Sequence, residues 1–138
     1  MRTLEDVAAG QQLPELRRLV TRQDIAAYAE ASGDRNPLHL DDAFARSVGF
    51  PSVIAHGMFT MGHMAAAIVG WAGDPSAVLD VSAQFRAPVF PGDTIVAGGR
   101  VRSVDAEAGV AELETWVVLD GRDEWPVRKG SARVSLRR

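Results

Sequence analysis

The chain has 138 residues, 46% of them apolar and 24% charged, with a formal net charge of −3. That length and balance fit a single soluble domain spanning 1–138 and exclude a fibrous or disordered chain. The small negative charge offers no footprint for nucleic acid or an anionic membrane surface, and the absence of cysteine excludes a disulfide framework, a thiol nucleophile and thiolate zinc sites. Met1 to Asp6 shows no cationic-then-apolar leader, so a cytoplasmic protein is expected.

In chain order, Thr3 to Pro14 reads as an opening segment with a turn at Gly10, and Leu16 to Val20 as a short strand. Thr21 is a good N-cap with Asp24 three residues on, and Ile25, Tyr28, Ala29 and Ser32 fall at helical spacing. Gly33 ends that helix, because glycine takes the left-handed conformation of a C-cap, and it launches Asp34 from a fixed point. Asn36-Pro37 is expected to force extended or turn geometry at Asn36, which keeps the chain from running on as helix, and Asp41 or Asp42 to cap a short helix through Val48.

Ser47 to Gly73 contains no Asp, Glu, Lys or Arg. Pro51, His56 and Gly57 interrupt the run, and a helix from Met58 to about Trp71 would be ~21 Å long, short of a ~30 Å hydrocarbon core. It is expected to be a core helix buried on every side. Four strand-like stretches follow, Ser82–Val89, Thr94–Val104, Val110–Leu119 and Lys129–Leu136, separated by turns at Pro91-Gly92-Asp93, Asp105 to Gly109 and Asp120 to Asp123. Helices precede strands, so the class is α+β, with an antiparallel sheet joined by hairpins wrapped around one long helix.

The candidate chemistry is concentrated in Ser32-Gly33-Asp34-Arg35-Asn36-Pro37-Leu38-His39, with a second imidazole at His56 beside Gly57. An Asp after a helix-ending glycine, followed by Asn-Pro, is by itself a turn whose carboxylate caps backbone. A turn does not require His39, and the spaced carboxylate and imidazole read as an acid/base pair. His56 is equally consistent with an imidazole tying the loop to the helix and with a participant in catalysis. His63 reads as a satisfied core or interface histidine. No His pair stands at i, i+4 spacing and no matched ligand cluster accompanies Asp41 and Asp42, so no metal is expected. Arg86, Lys129 and Arg133 could meet a phosphopantetheine or nucleotide phosphate, although basic residues on strands are commonly a solvated face.

Tyr28-Ala29-Glu30-Ala31-Ser32-Gly33-Asp34-Arg35-Asn36-Pro37-Leu38-His39, with Ala45 six residues later, resembles the signature of the MaoC-like (R)-specific enoyl-CoA hydratases and dehydratases. Ala31 departs from the larger aliphatic residue or glycine usual there, which touches packing alone. The resemblance continues through Ile54-Ala55-His56-Gly57-Met58 and Phe85 to Asp93. Within the family, Thr21 to Asp24, Ala55 to Gly62 and Trp71 to Val78 look like the catalytic B subunit of actinobacterial (3R)-hydroxyacyl-ACP dehydratases.

The resemblance implies a hot-dog fold, a homodimer or a heterodimer with a related hot-dog subunit, and reversible hydration of enoyl thioesters of CoA or acyl carrier protein without a cofactor. It implies Asp34 and His39 as the water-activating dyad and the Gly57 N–H as oxyanion donor, with Asn36 and His56 as further polar contacts. The acyl pocket is expected at Met58, Met61, Ala65 and Phe85; some relatives carry a serine where Ala65 stands. Two other readings remain: a hot-dog acyl thioesterase, which hydrolysis to free thiol would reveal, and a non-catalytic acyl-binding partner subunit, which would be expected to lack Asp34 and His39.

Overall fold

Thr21 starts the first long helix by a reciprocal contact. Its hydroxyl accepts from the Asp24 N–H at 3.1 Å, and the Asp24 carboxylate accepts from the Thr21 N–H at 3.1 Å, which satisfies two exposed backbone donors at once. In the computed structural model, which describes residues 1–138, helix α1 runs Arg22–Ser32 and buries Ile25 and Ala29. Gly33 closes it at φ 77°, its N–H reaching the Ala29 carbonyl.

Asn36, at φ −55° and ψ 130°, stays out of the helical region as the following proline requires, so α1 does not run on; a separate single helical turn that the sequence reading does not include, α2, Pro37–Leu40, follows it. Proline sits at the first helical position, where a missing N–H costs nothing, and the Asn36 side chain caps the turn by accepting from the Leu38 N–H at 3.0 Å. Asp41 then accepts from the N–H groups of Ala43 and Phe44 at 2.9 and 3.2 Å and starts α3, Asp42–Ser47.

Helix α4, Gly57–Ala72, is the element the sheet packs on. Met64 and Ile68 are fully buried and Trp71 nearly so; each such side chain contributes roughly 1.5–3 kcal/mol of burial free energy. The expectation of burial on every side is corrected: Gly62, Ala66 and Gly70, spaced four apart, are exposed along one stripe. A five-stranded sheet curls around only part of the helix circumference, and small side chains leave the remaining stripe open. No helix is long and apolar enough to cross a membrane.

The strands are β1 Leu16–Leu19, β2 Val78–Phe85, β3 Thr94–Asp105, β4 Val110–Leu119 and β5 Val127–Ser135, in the order β1-β3-β4-β5-β2 with every pairing antiparallel. β2 and β5 depart furthest from the sequence reading. β2 begins four residues earlier than Ser82 and stops at Phe85; the Arg86 N–H makes one more bond in the same register, to the Pro126 carbonyl, but Pro126 has no N–H to return and Pro88 none to carry the ladder on. β5 begins at Val127 rather than Lys129.

The hairpin expectation holds for β3-β4-β5 and fails for β2, which pairs with β5 at the far edge. Residues 86–93 therefore cross between opposite sides of the sheet, tied on the way by Ala55 N–H to the Val89 carbonyl and Gly92 N–H to the Val20 carbonyl, both 2.8 Å. That crossing presses Phe85 and Val89 against the loop that enters α4.

Candidate active site

Three short elements meet at the start of α4. The last two turns of α1 supply Tyr28 and Ser32, and the Ser32 hydroxyl accepts from the Asp34 N–H at 3.2 Å. Asp34 Oδ1 accepts from the Asn36 N–H at 3.2 Å, which fixes the carboxylate in a tight turn. His39 follows on α2. Its Nδ1 lies 2.7 Å from the Ile54 carbonyl oxygen; a carbonyl can only accept, so Nδ1 carries the hydrogen and Nε2 of the neutral ring is left as a base.

Ile54 is held firmly enough to serve as that anchor. Its own N–H reaches the Leu38 carbonyl at 3.3 Å, and the neighbouring Val53 N–H donates to Asp42 Oδ1 at 3.0 Å. The Val53 N–H, and after it the Arg22 guanidinium, hold the Asp42 carboxyl below the usual carboxylate range.

His56 occupies the N-cap position of α4 but does not cap it. Its Nε2 donates to the Asp34 backbone carbonyl at 2.9 Å, and its buried Nδ1 has no partner. Its ring stacks on His39 with centroids 3.7 Å apart and 22° between planes, and the Tyr28 ring packs against it at 4.7 Å, tilted by 59°. The imidazole therefore ties the loop to the helix and also forms a wall of the site. Because the cap side chain is turned away, the Gly57 N–H points out of the helix end with no acceptor in the chain, where the helix dipole favours negative charge.

Asp34, His39 and His56 each place a polar atom within 4.8 Å of the others. One water making two ordinary hydrogen bonds of ~2.8 Å spans such a gap. A metal is a poorer fit: His39 Nδ1 and His56 Nε2 are engaged with carbonyls, and the stacked rings keep their remaining lone pairs in two nearly parallel planes rather than turned toward one point between them.

These groups line a cavity of about 420 Å³ together with Gly57, Met58 and Phe85. Gly57 and Phe85 also border a second, more apolar cavity of about 350 Å³ formed with Phe50, Ile54, Pro88 and Pro126. Of the residues singled out in the sequence, Asp34, His39, His56, Gly57, Met58 and Phe85 come together. Asn36 does not line the cavity, its carbonyl oxygen being spent on capping α2. Met61 packs against the core one turn along α4 and Ala65 lies a further turn away, and neither lines these cavities.

His63 accounts for itself elsewhere. Its Nε2 donates to the Leu16 carbonyl at 2.7 Å, tying α4 to β1, and burial lowers its pKa. Tyr28 and the Ile54 carbonyl are the site groups the sequence did not flag. Tyr28 stands one helical turn before Ser32, on the face of α1 that ends at Asp34, and that i, i+4 spacing was a usable signal.

Residues 6–119 match the family described as MaoC like domain. The chain is 31% identical over 133 residues to the (R)-specific enoyl-CoA hydratase of Rhodospirillum rubrum, a match covering 96% of this chain and 90% of that protein. It is 44% identical over 78 residues to the peroxisomal enoyl-CoA hydratase 2 of Arabidopsis thaliana, covering 55% of this chain and a quarter (25%) of that protein's length. Among solved structures, the (R)-hydratase from A. caviae involved in PHA biosynthesis superposes with a TM-score of 0.86 at 31% identity, over 96% of this chain and 98% of that one. The matched span takes in the Asp34-to-His39 turn, the helix it faces and most of the sheet, and the chain belongs to the MaoC-like family of hot-dog proteins.

Proposed function

We propose that the chain is a hydro-lyase that reversibly hydrates trans-2-enoyl thioesters to (3R)-3-hydroxyacyl thioesters, the acyl group being carried by CoA or acyl carrier protein. The observation that carries the reading is the convergence of the Asp34 carboxylate, a His39 ring with Nε2 free, and the uncapped Gly57 N–H on one cavity. Hydratase names among the relatives support the same reaction class.

Asp34 and His39 Nε2 hold the water between them. As its oxygen adds to C3, the pair takes one proton from it and returns one to C2. The thioester oxygen gains charge in that step and is met by the Gly57 N–H, a donor already aimed and needing no reorganisation. The acyl chain runs past Phe85 toward the apolar cavity. No cofactor takes part, and a single domain spanning 1–138 and a cytoplasmic location belong to the same proposal.

The purified chain incubated with crotonyl-CoA is expected to bleach the conjugated enoyl absorbance and yield the 3R product. Release of free thiol would mark a thioesterase instead, and a 3S product would overturn the assignment. Activity that appears only after a related hot-dog subunit is added would identify a heterodimeric dehydratase.

A dimer is part of this reading. The exposed stripe of Gly62, Ala66 and Gly70 on α4 and the uncovered edge of β2, where Leu79 is 51% exposed, are surfaces a second hot-dog subunit can cover. Light scattering at micromolar concentration should give twice the chain mass, and a clean monomer would rule this out.

A further inference from the structure

A cleft of about 490 Å³ lies away from the acid/base cavity, on the outer face of the sheet. Along β4 the side chains of Leu113, Thr115 and Val117 are buried against the core, so Glu114 and Trp116 face outward. On β5, Val127 and Gly130 are the buried positions, and two residues stand between them where regular alternation allows one. The register passes from Thr115↔Gly130 to Val117↔Val127, so Trp116 is opposed by both Arg128 and Lys129.

This is a β-bulge, and it turns both cationic side chains to the outer face beside the indole. Lys129 takes φ 50°, the one non-glycine residue of the chain in the left-handed region, a conformation side-chain-bearing residues seldom adopt. The bulge therefore departs from regular strand geometry at the position where it presents the two cations.

The rest of the cleft is aromatic. Trp125 meets Trp116 edge-on with centroids 6.5 Å apart, is oriented by an Nε1–H bond to Asp123 at 2.8 Å, and carries the Arg128 guanidinium 5.3 Å from its ring. The Trp116 indole lies along the sheet over Gly98, its cross-strand partner, where an added Cβ would come within 2.6 Å of the indole nitrogen. The carboxylate in the cleft, Glu114, is paired with Arg100 at 2.9 Å. Arg128 and Lys129 have no carboxylate partner.

We propose that this cleft binds a nucleoside phosphate, its planar base against the indoles and its phosphate on Arg128 and Lys129. The volume is that of a small-molecule site. A protein-docking face is disfavoured because none of the large exposed apolar side chains lies in it. The inference stands apart from the hydratase reading. The nucleotide can be free, or it can be the nucleotide end of a CoA thioester.

Trp71 is buried, so intrinsic fluorescence quenching reports Trp116 and Trp125. Titration with adenosine 3′,5′-bisphosphate should give saturable quenching, weakened by ~10-fold or more in Arg128→Ala and Lys129→Gly, the loss expected of a charge-assisted contact. Lys129→Gly is the sharper variant: glycine adopts positive φ freely, so the melting temperature should hold or rise while binding falls, a split that a purely structural bulge does not produce.

No quenching at millimolar nucleotide, equal affinity in the variants, or equally tight binding of inorganic phosphate alone would overturn the proposal. So would a change of oligomeric state in Arg128→Ala by light scattering, which would mark the face as an interface between copies. Competition by CoA with a raised KM for crotonyl-CoA in Arg128→Ala assigns the nucleotide to the substrate. Lost bisphosphate binding with an unchanged KM assigns it to a free nucleotide. A chain that hydrates nothing still reads out in the binding arm.

Discussion

Asp34→Asn and His39→Gln should each lower kcat for crotonyl-CoA hydration by ~10²–10⁴, the span associated with a positioned acid or base, while both variants fold. The geometry separates chemistry from scaffold at these positions. The contact that Asp34 makes to His56 uses its backbone carbonyl, and the Asn36 N–H held by Asp34 Oδ1 can equally be held by an asparagine oxygen. Asn therefore preserves the turn and removes only the basic carboxylate. At position 39, a glutamine amide can still donate toward the Ile54 carbonyl but has no basic ring nitrogen to accept a proton.

If the pair handles one water jointly, the double variant should be little worse than either single one, because residues acting as a unit are not additive. A carboxylate that merely caps the turn predicts the reverse: a lowered melting temperature and full turnover in the protein that remains folded. Measuring thermal unfolding and hydration on the same samples distinguishes the two, and near-wild-type turnover in folded Asp34→Asn would sink the dyad.

What could be read from the sequence follows from how local each feature is. The capping box at Thr21 and Asp24, the left-handed Gly33 and the cap at Asp41 are decided by residues within a few positions, and each stands where the spacing predicts. Strand order was not legible: β2 pairs with β5, some fifty residues later, and nothing in the hairpin-like turn at Pro91-Gly92-Asp93 announces that the preceding strand lies at the opposite edge.

The site divides in the same way. Asp34 and His39 share one motif, but the hydrogen bond from His56 to the Asp34 carbonyl joins residues 22 apart, and the anchor of His39 is a backbone carbonyl 15 residues away. A main-chain group leaves no trace in side-chain identity. The expectation that α4 is apolar all round and so buried all round failed at Gly62, Ala66 and Gly70 for a related reason. Hydropathy records that a surface can be covered, and not whether one chain supplies the cover.

Gly57→Val should lower kcat/KM by ~10²–10³, comparable with loss of an oxyanion donor, without lowering the melting temperature. Space rather than backbone freedom matters at this glycine, since Gly57 is not among the residues with positive φ. A Cβ at this position would lie 3.3 Å from Phe85 Cε1 and 3.4 Å from Cδ1 and Cγ, at the boundary between the cavity that holds Asp34 and His39 and the apolar one. Phe85 is 50% exposed, so its ring can swing toward solvent and accommodate one methyl group. Gly57→Ala is therefore expected to cost about tenfold or less, with any helix-propensity change favouring the variant. Valine adds two further methyl groups that fill the approach to the Gly57 N–H itself, and no ring movement relieves that. Adding Phe85→Ala should restore most of what Gly57→Ala loses and little of what Gly57→Val loses. Full activity in Gly57→Val would show that the thioester oxygen is met somewhere other than the start of α4. Equal rescue of both variants by Phe85→Ala would show that glycine is there to seat the phenyl ring, and that the ring rather than the exposed N–H governs access to Asp34 and His39.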